Sequence, residues 1–270
     1  MSVRRFAISS AWSAPSTAPI VLTGGITDNM IRAAMMGYQG LEIHMRETTV
    51  LDYEKIAQVS QEYNIGVSAV VTGRLNTEGK VSLIDDRPYV SEAAIEGLRA
   101  YTLMASKLKT DLIIGWVKGN IPPAGDREFY MERLAHNLRI VCQEAKERGV
   151  RILIEVINRY EVNIFNTTEE LLAFLSMWEI PNAYVHLDTF HMNIEESNPY
   201  EAIRACGNQL GYFHVADNTR CYPGSGTLDF GAYLEVLDEV GYTGYISVEC
   251  FPKPSGEEAA KRGIAHLTNL

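Results

Sequence analysis

Short apolar segments of β type alternate with longer amphipathic segments of helical type along the chain, and the alternation occurs eight times. The strands are predicted at Arg5–Ser9, Gly40–His44, Gly66–Thr72, Asp111–Trp116, Arg151–Val156, Ala183–Leu187, Tyr212–Ala216 and Tyr245–Glu249. A chain of 270 residues gives each round roughly 34 residues, well above the dozen or so that a parallel crossover requires. The pattern therefore predicts a (β/α)8 barrel of parallel strands.

The helical segments are bounded by recognisable caps. Gly149 ends one helix as a C-cap glycine would, and Thr167 with Glu170 has the spacing of a capping box. The helices are predicted at 27–36, 52–63, 89–108, 128–148, from about 167, from 200, at 230–240 and at 257–267. No linker or low-complexity tract interrupts them, which favours one domain over residues 1–270. An open doubly wound sheet is the alternative, but no glycine-rich nucleotide motif follows any strand.

The charge balance narrows the classes of partner. The chain has 24 Lys+Arg against 34 Asp+Glu, a net charge of −10, so we expect no nucleic-acid binding and no docking on anionic membranes. No run approaches the roughly 18 apolar residues that cross a bilayer. Four cysteines without a C-x-x-C pair suggest a reducing compartment, and we expect a cytoplasmic protein that binds a small molecule.

Ionisable residues lie at the predicted C-terminal ends of the last four strands. They are Glu155, Asp188, His214 and Glu249, separated by 33, 26 and 35 residues, each about one βα unit. The active site of such a barrel lies at this face, so the four groups should converge. A lone carboxylate there would only cap a helix, but burying several needs a charge partner. An oxygen-rich set with one nitrogen predicts a divalent cation, Mn²⁺ or Mg²⁺ with Co²⁺ acceptable.

Further polar residues follow the same strands. Glu161 follows the fifth, His191 the sixth and Arg220 the seventh. Taken singly, Glu161 and Arg220 would be solvated loop charges, but their position beside predicted ligands makes them candidates for substrate contact. His186, inside the sixth strand, is interpreted as a packed histidine.

Two cations follow strands in the first half of the chain. Arg46 comes after strand two and Lys118 after strand four. We hypothesise that they bind the far end of an acyclic substrate, which would favour a keto-sugar acid over a neutral ketose. The alternative for each is ordinary surface pairing with an acidic neighbour.

Four segments resemble one family of enzymes. They read IEVINRYEVNIFNT, HLDTFHMNIEE, FHVADNTRCYPGSGTLDF and ISVEC, and they are similar to the ketose 3-epimerases, the D-tagatose/D-psicose 3-epimerase group of the xylose-isomerase-like barrel superfamily. Epimerases of keto-sugar acids such as 5-keto-gluconate are a particularly good likeness. The detailed match covers roughly the C-terminal half from Glu155 onward, and GYQGLEI and LIIGWVKG resemble the family's second and fourth strands.

The resemblance implies roles for the residues that match. Glu155, Asp188, His214 and Glu249 would be the metal ligands, and Glu155 and Glu249 also the catalytic acid and base. His191, Arg220 and Glu161 would bind the substrate around its carbonyl and first hydroxyls. A metal on the C2 and C3 oxygens would stabilise a cis-enediolate, and two carboxylates on opposite faces would invert C3. The family also implies a homo-oligomer.

Other activities share this framework. An aldose–ketose or hydroxypyruvate-type isomerase would use the same metal and enediol chemistry, and a sugar-acid dehydratase would release a dehydrated product. A barrel endonuclease is disfavoured, because it needs a histidine-rich multi-metal site and a basic face, whereas this chain has 6 histidines and a charge of −10. A non-catalytic sugar-binding barrel is disfavoured by the pair Glu155 and Glu249.

Overall fold

The computed structural model describes residues 4–270, and within them eight parallel strands close into a barrel. The strands are β1 Arg5–Ala11, β2 Gly40–His44, β3 Gly66–Val71, β4 Asp111–Ile114, β5 Ile152–Glu155, β6 Ala183–Asp188, β7 Leu210–Val215 and β8 Tyr245–Val248. Each strand pairs with the next in chain order, and β8 pairs with β1 through Arg5 opposite Tyr245 and Ile8 opposite Val248. A two-residue strand, Leu22–Thr23, adds to the C-terminal end of β1. The predicted (β/α)8 barrel is confirmed.

Helices connect the strands on the outside of the barrel. They are α1 Ile26–Met36, α2 Tyr53–Tyr63, α3 Gly73–Thr77, α4 Pro88–Leu108, α5 Arg127–Glu147, α6 Thr168–Met177, α7 Thr189–Glu195, α8 Pro199–Cys206, α9 Phe230–Glu239 and α10 Gly256–Thr268. The sequence did not predict α3 or α7, two short helices that follow β3 and β6 directly. The fourth strand ends two residues earlier than predicted, because the backbone turns at Gly115 into a 3₁₀ helix over Trp116–Lys118.

The predicted caps are present. Thr167 Oγ1 accepts a hydrogen bond from the backbone N–H of Glu170 at 3.3 Å, and Gly149 follows α5 with a φ of 70°, in the left-handed region that glycine adopts without steric cost. Such a side-chain cap stabilises a helix by about 1 kcal/mol.

Alternation along each strand divides the core into two layers. In β5, Ile152 and Ile154 pack in the large layer between strands and helices, whereas Leu153 packs inside the barrel with Ile113 and Tyr212. Side chains two residues apart share a face of a strand. The residue after Ile154, Glu155, therefore faces the barrel interior. The same period of two on the other strands directs the polar residues at their C-terminal ends into the barrel interior as well.

The four cysteines are free, with Cys142, Cys206 and Cys250 buried. Burial raises the pKa of Cys142 and Cys206 to about 12, so at neutral pH these two are thiols, the unreactive form. A search of the described helices finds none that combines the length and the apolar character needed to span a membrane.

Candidate active site

The four residues predicted as metal ligands meet inside the barrel. Glu155 ends β5, Asp188 ends β6, His214 lies in β7 and Glu249 follows β8. All four are buried. His214 Nδ1 lies 3.6 Å from Glu249 Oε2 and 3.9 Å from Asp188 Oδ2, and Glu155 offers an oxygen within 4.8 Å of ligand atoms of Asp188 and His191.

The His214 ring presents one nitrogen to this group of carboxylates. Its Nε2 lies 2.7 Å from Glu42 Oε2, while its Nδ1 is buried and has no hydrogen-bond partner among the described residues. Although burial opposes it, the charges of Glu42 and Glu249 raise the pKa of His214 to about 10. An unpartnered imidazole nitrogen in strongly negative surroundings fits a cation, and a carboxylate on the opposite ring nitrogen is the usual support of a metal-binding histidine.

The two glutamates of the quartet repel each other in a dry environment. Burial, with a further contribution from the charge of Glu249, raises the pKa of Glu155 to about 8. Burial also raises the pKa of Glu249. Gly115 leaves the space that Glu155 occupies, because a Cβ at this position would lie 2.7 Å from Glu155 Oε2. Two close carboxyls with raised pKa values are suited either to shared cation binding or to proton transfer near neutral pH.

Arg220 bridges two members of the quartet. Its guanidinium donates to Asp188 Oδ2 at 2.8 Å and to Glu249 Oε2 at 2.5 Å, and it stacks on the Phe190 ring with Cζ 4.6 Å from the ring centroid. Burial would raise the pKa of Asp188, but Arg220 and the nearby histidines hold it below its usual range. The guanidinium thus places fixed positive charge on the floor of the site.

Asp217 holds the loop that carries Arg220. Its buried carboxylate accepts four hydrogen bonds from backbone N–H groups, those of Asn218, Gly224, Gly226 and Leu228. Arg220 itself has a φ of 59°, a left-handed conformation that costs a non-glycine residue energy and needs such support.

His191 and Glu161 both line the cavity of the site, as their positions after β6 and β5 predicted. His191 Nε2 lies 3.7 Å from Glu155 Oε1 and 3.8 Å from Asp188 Oδ2. Burial and the nearby Arg220 lower the pKa of His191 to about 3. At neutral pH this imidazole is therefore uncharged.

The structure does not bring Arg46 or Lys118 to the cavity wall. Lys118 is fully buried and its Nζ donates to the backbone carbonyl of Glu155 at 2.8 Å, because the 3₁₀ turn after β4 directs it behind β5. Burial lowers its pKa to about 8, against the charges of Glu155 and Glu161. Arg46 is exposed and pairs with Glu78 of the loop after α3, Nε to Oε2 at 2.5 Å. Of the two alternatives considered from the sequence, surface pairing describes Arg46.

Two site residues were missed in the sequence. Glu42 and His44 end β2, and His44 Nε2 lies 2.8 Å from Glu42 Oε1 and 3.7 Å from Glu249 Oε1. Although burial opposes it, the rings of His214 and His44 lower the pKa of Glu42 well below its usual range. The signal was available, since Glu42 and His44 occupy alternate positions of the predicted strand GLEIH and therefore share one of its faces.

His186 lies one layer deeper, packed as a buried side chain. Its ring meets the His214 ring edge-on with centroids 4.2 Å apart, and the Tyr212 ring at 5.4 Å. Burial, followed by the charge of His214, lowers its pKa well below the usual value. It is a neutral ring beneath the quartet.

A cavity of about 700 Å³ opens onto these groups at the C-terminal face. His44, Glu155, His191, Arg220 and Glu249 form its polar floor. Its walls include the aromatic side chains of Trp116, Phe190 and Phe251, together with the segment 14–20 that follows β1. A charged floor beneath walls that carry several aromatic side chains suits a small polar ligand.

Comparison with known proteins identifies the family to which the chain belongs. Residues 31–270 match the family described as xylose isomerase-like TIM barrel. The chain is 33% identical over 243 residues to an L-ribulose 3-epimerase of Methylomonas sp. (strain DH-1), covering 87% of this chain and 83% of that protein. It is 29% identical over 231 residues to a ketose 3-epimerase of Arthrobacter globiformis, covering 84% and 78%. The crystal structure of a D-allulose 3-epimerase from Methylomonas sp. in complex with D-allulose matches with a TM-score of 0.80 at 25% identity, covering 99% and 98%.

Proposed function

Because the chain belongs to the xylose isomerase-like TIM barrel family and is an enzyme of the epimerase and isomerase class, we propose that it is a metal-dependent epimerase. The substrate would be a ketose or a keto-sugar acid, inverted at C3. The observation that carries this proposal is the pair Glu155 and Glu249. These two buried carboxyls lie at the ends of strands three places apart in the barrel, both form part of the floor of one cavity, and both have a raised pKa.

The cation would be held by Glu155, Asp188, His214 and Glu249. Three carboxylates and one imidazole form an oxygen-rich set, which favours Mn²⁺, with Mg²⁺ or Co²⁺ as alternatives. A bound divalent ion supplies Lewis-acid stabilisation of negative charge on the substrate oxygens. The unpartnered Nδ1 of His214 and the mutual repulsion of the carboxyls support this assignment.

Inversion of a carbon beside a ketone needs two groups that exchange protons with it from opposite faces. One carboxylate removes the C3 proton to give a planar enediolate, and the other carboxyl returns a proton to the second face. Glu155 comes from β5 and Glu249 from the end of β8, so the two would approach the substrate from different strands. In the metal-free site burial raises the pKa of Glu155 to about 8; a bound cation would displace that proton and leave the carboxylate free to act as the base.

Arg220 and His191 would bind the substrate oxygens that gain charge during the reaction. Arg220 brings a permanent cation and His191 a neutral ring, so the two stabilise developing charge by different means. Glu161 lines the same cavity and would accept a hydrogen bond from a substrate hydroxyl. Lys118 would act on Glu155 from behind rather than on the substrate.

Exchange of hydrogen in D₂O tests the proposal. Incubation of D-allulose or L-ribulose with the Mn²⁺-loaded protein is expected to give the C3 epimer with deuterium at C3, and chelation of the metal should stop the reaction. Exchange confined to C1 would show an isomerase instead, and a dehydrated product would show a dehydratase. Glu249→Gln should lose at least about 100-fold in rate, while Glu257→Gln, at an exposed position on α10, should not differ from wild type.

A further inference from the structure

Asn158 lies three residues beyond the end of β5 and is almost fully buried. Its side chain makes three hydrogen bonds. Nδ2 lies 2.9 Å from Glu161 Oε1 and 2.7 Å from His191 Nδ1, and Oδ1 accepts from the backbone N–H of Tyr160 at 2.9 Å. One amide therefore joins two residues of the cavity to the loop between them.

The oxygen and nitrogen of this amide are similar in shape, so their positions are assigned from which neighbours donate and which accept hydrogen bonds. The Tyr160 N–H can only donate, so it requires the oxygen of Asn158. The NH₂ at the other end of the amide then faces Glu161 Oε1 at 2.9 Å and donates to it. A flipped amide would place two donors against each other at Tyr160 and two oxygens against each other at Glu161. With both ends determined, the second hydrogen of Nδ2 points to His191 Nδ1.

We infer that Asn158 is a positioning residue that holds His191 in the neutral tautomer with hydrogen on Nε2. Because Nδ1 receives a hydrogen bond from the Asn158 amide, it must carry a lone pair, and the ring proton is on Nε2. The surroundings of Nε2 agree, since it lies between carboxylate oxygens of Glu155 and Asp188.

Among the described residues, Arg220 is the one neighbour of His191 that would favour the opposite tautomer. Its Nη1 lies 3.4 Å from His191 Nε2, but the same nitrogen donates to Asp188 Oδ2 at 2.8 Å. The contact of 2.7 Å with Asn158 is far shorter, and it decides the position of the proton.

The catalytic role of this tautomer rests on the proposed function. His191 presents a neutral N–H to the cavity and stabilises a substrate oxygen as a hydrogen-bond donor, while it does not itself transfer a proton. Asn158 also orders Glu161, so a donor and an acceptor for neighbouring substrate oxygens are set by one buried amide.

Nitrogen NMR of the His side chains tests the tautomer without reference to activity. In the Mg²⁺-loaded protein labelled with ¹⁵N-histidine, His191 is expected to show a protonated Nε2 and an unprotonated Nδ1 at pH 7, with the signals assigned by their loss in His191→Gln. A protonated Nδ1, alone or together with Nε2, would overturn the inference. Failure of the epimerase proposal would leave this spectrum unchanged, so the two outcomes are distinguishable.

Asn158→Asp tests the role of the amide. The new carboxylate keeps an oxygen for the Tyr160 N–H but offers His191 an acceptor, so the ring proton should move to Nδ1 or a second proton should bind. The expected loss in kcat is about 100-fold, the effect of removing one donor from a charged transition state, with a smaller change in KM. An Nε2–H tautomer retained in Asn158→Asp would refute the role of Asn158.

The two amide replacements of His191 form a matched pair. His191→Gln places an NH₂ close to the position of Nε2, whereas His191→Asn places it near Nδ1. We expect the glutamine variant to keep at least tenfold more activity than the asparagine variant. Equal losses in both would contradict the assignment of Nε2–H as the working donor, and the thermal midpoints of both variants show whether they fold.

Discussion

Substitution of Glu42 by glutamine should weaken metal binding although Glu42 is not one of the four ligands predicted from the sequence. Its two carboxylate oxygens lie 2.7 Å from His214 Nε2 and 2.8 Å from His44 Nε2. A glutamine of the same shape has one oxygen for two imidazoles, so one ring must face an NH₂ group. The variant also loses the negative charge that holds hydrogen on His214 Nε2 and leaves Nδ1 available to a cation.

The size of the effect follows from these contacts. Loss of a carboxylate behind a metal-binding histidine typically costs 10–100-fold in metal affinity, which corresponds to about 1.4–2.8 kcal/mol. We expect a value toward the upper end, because Glu42 is fully buried and ionised. The lower pKa of His214 in the variant eases its deprotonation, but this gain is smaller than the loss of a full charge near a divalent ion.

Calorimetric titration of chelator-treated protein with Mn²⁺ measures the effect directly. Glu257→Gln is the control, since that side chain is exposed and forms an ion pair with Lys261 on the same helix. Thermal unfolding of the metal-free proteins separates a change in fold stability from a change in affinity. An affinity for Mn²⁺ within about twofold of wild type in Glu42→Gln, with an unchanged fold, would refute the role assigned to this carboxylate.

Three further changes address the loop, the space around the quartet and its protons. Asp217→Asn should destabilise the protein by about 2–3 kcal/mol in denaturant unfolding, because hydrogen bonds from backbone N–H groups to the carboxylate are lost. It should also weaken substrate binding, because the loop that carries Arg220 is released. Unchanged stability would contradict the structure of the loop. Gly115→Ala should lower Mn²⁺ affinity by displacing Glu155, and a wild-type affinity would show that this carboxyl has room to move. The pKa of Glu155 is raised to about 8 and that of His214 to about 10, so in the metal-free protein both groups hold a proton at pH 7. Because Mn²⁺ must displace these protons, its affinity should rise between about pH 6 and pH 8, by up to about tenfold per pH unit for each proton released. An affinity independent of pH would show that no proton is displaced.

The strand ends could be predicted because one simple rule governs them. Parallel strands of a closed barrel end at the same face, and alternation with a period of two separates the side chains that face helices from those that face the interior. Glu155 and Glu249 follow this rule, as do Glu42 and His44. The second pair was not predicted, although β2 has the same period of two.

Side chains beyond a strand end follow no such rule. Lys118 follows β4 by four residues and Arg46 follows β2 by two, yet one is buried behind Glu155 and the other is exposed beside Glu78. Their directions depend on a 3₁₀ turn and on a short helix that the sequence did not predict. The role of Asn158 could not be predicted either, because it depends on three hydrogen bonds that form only when the loop after β5 is folded.

Charge balance inside the barrel connects the acidity of the chain with its site. Within the described residues, the buried carboxylates that face one another there are Glu42, Glu155, Asp188 and Glu249, and the buried cations beside them are Lys118 and Arg220. Four negative charges against two positive charges leave an excess of two, which a low-dielectric interior cannot hold uncompensated. The raised pKa values of Glu155 and His214 show where two protons restore neutrality. One divalent cation would balance the same excess and release those protons, whereas a monovalent ion would leave one charge uncompensated. The buried residues therefore favour a divalent ion on charge alone, independently of the geometry of the ligands.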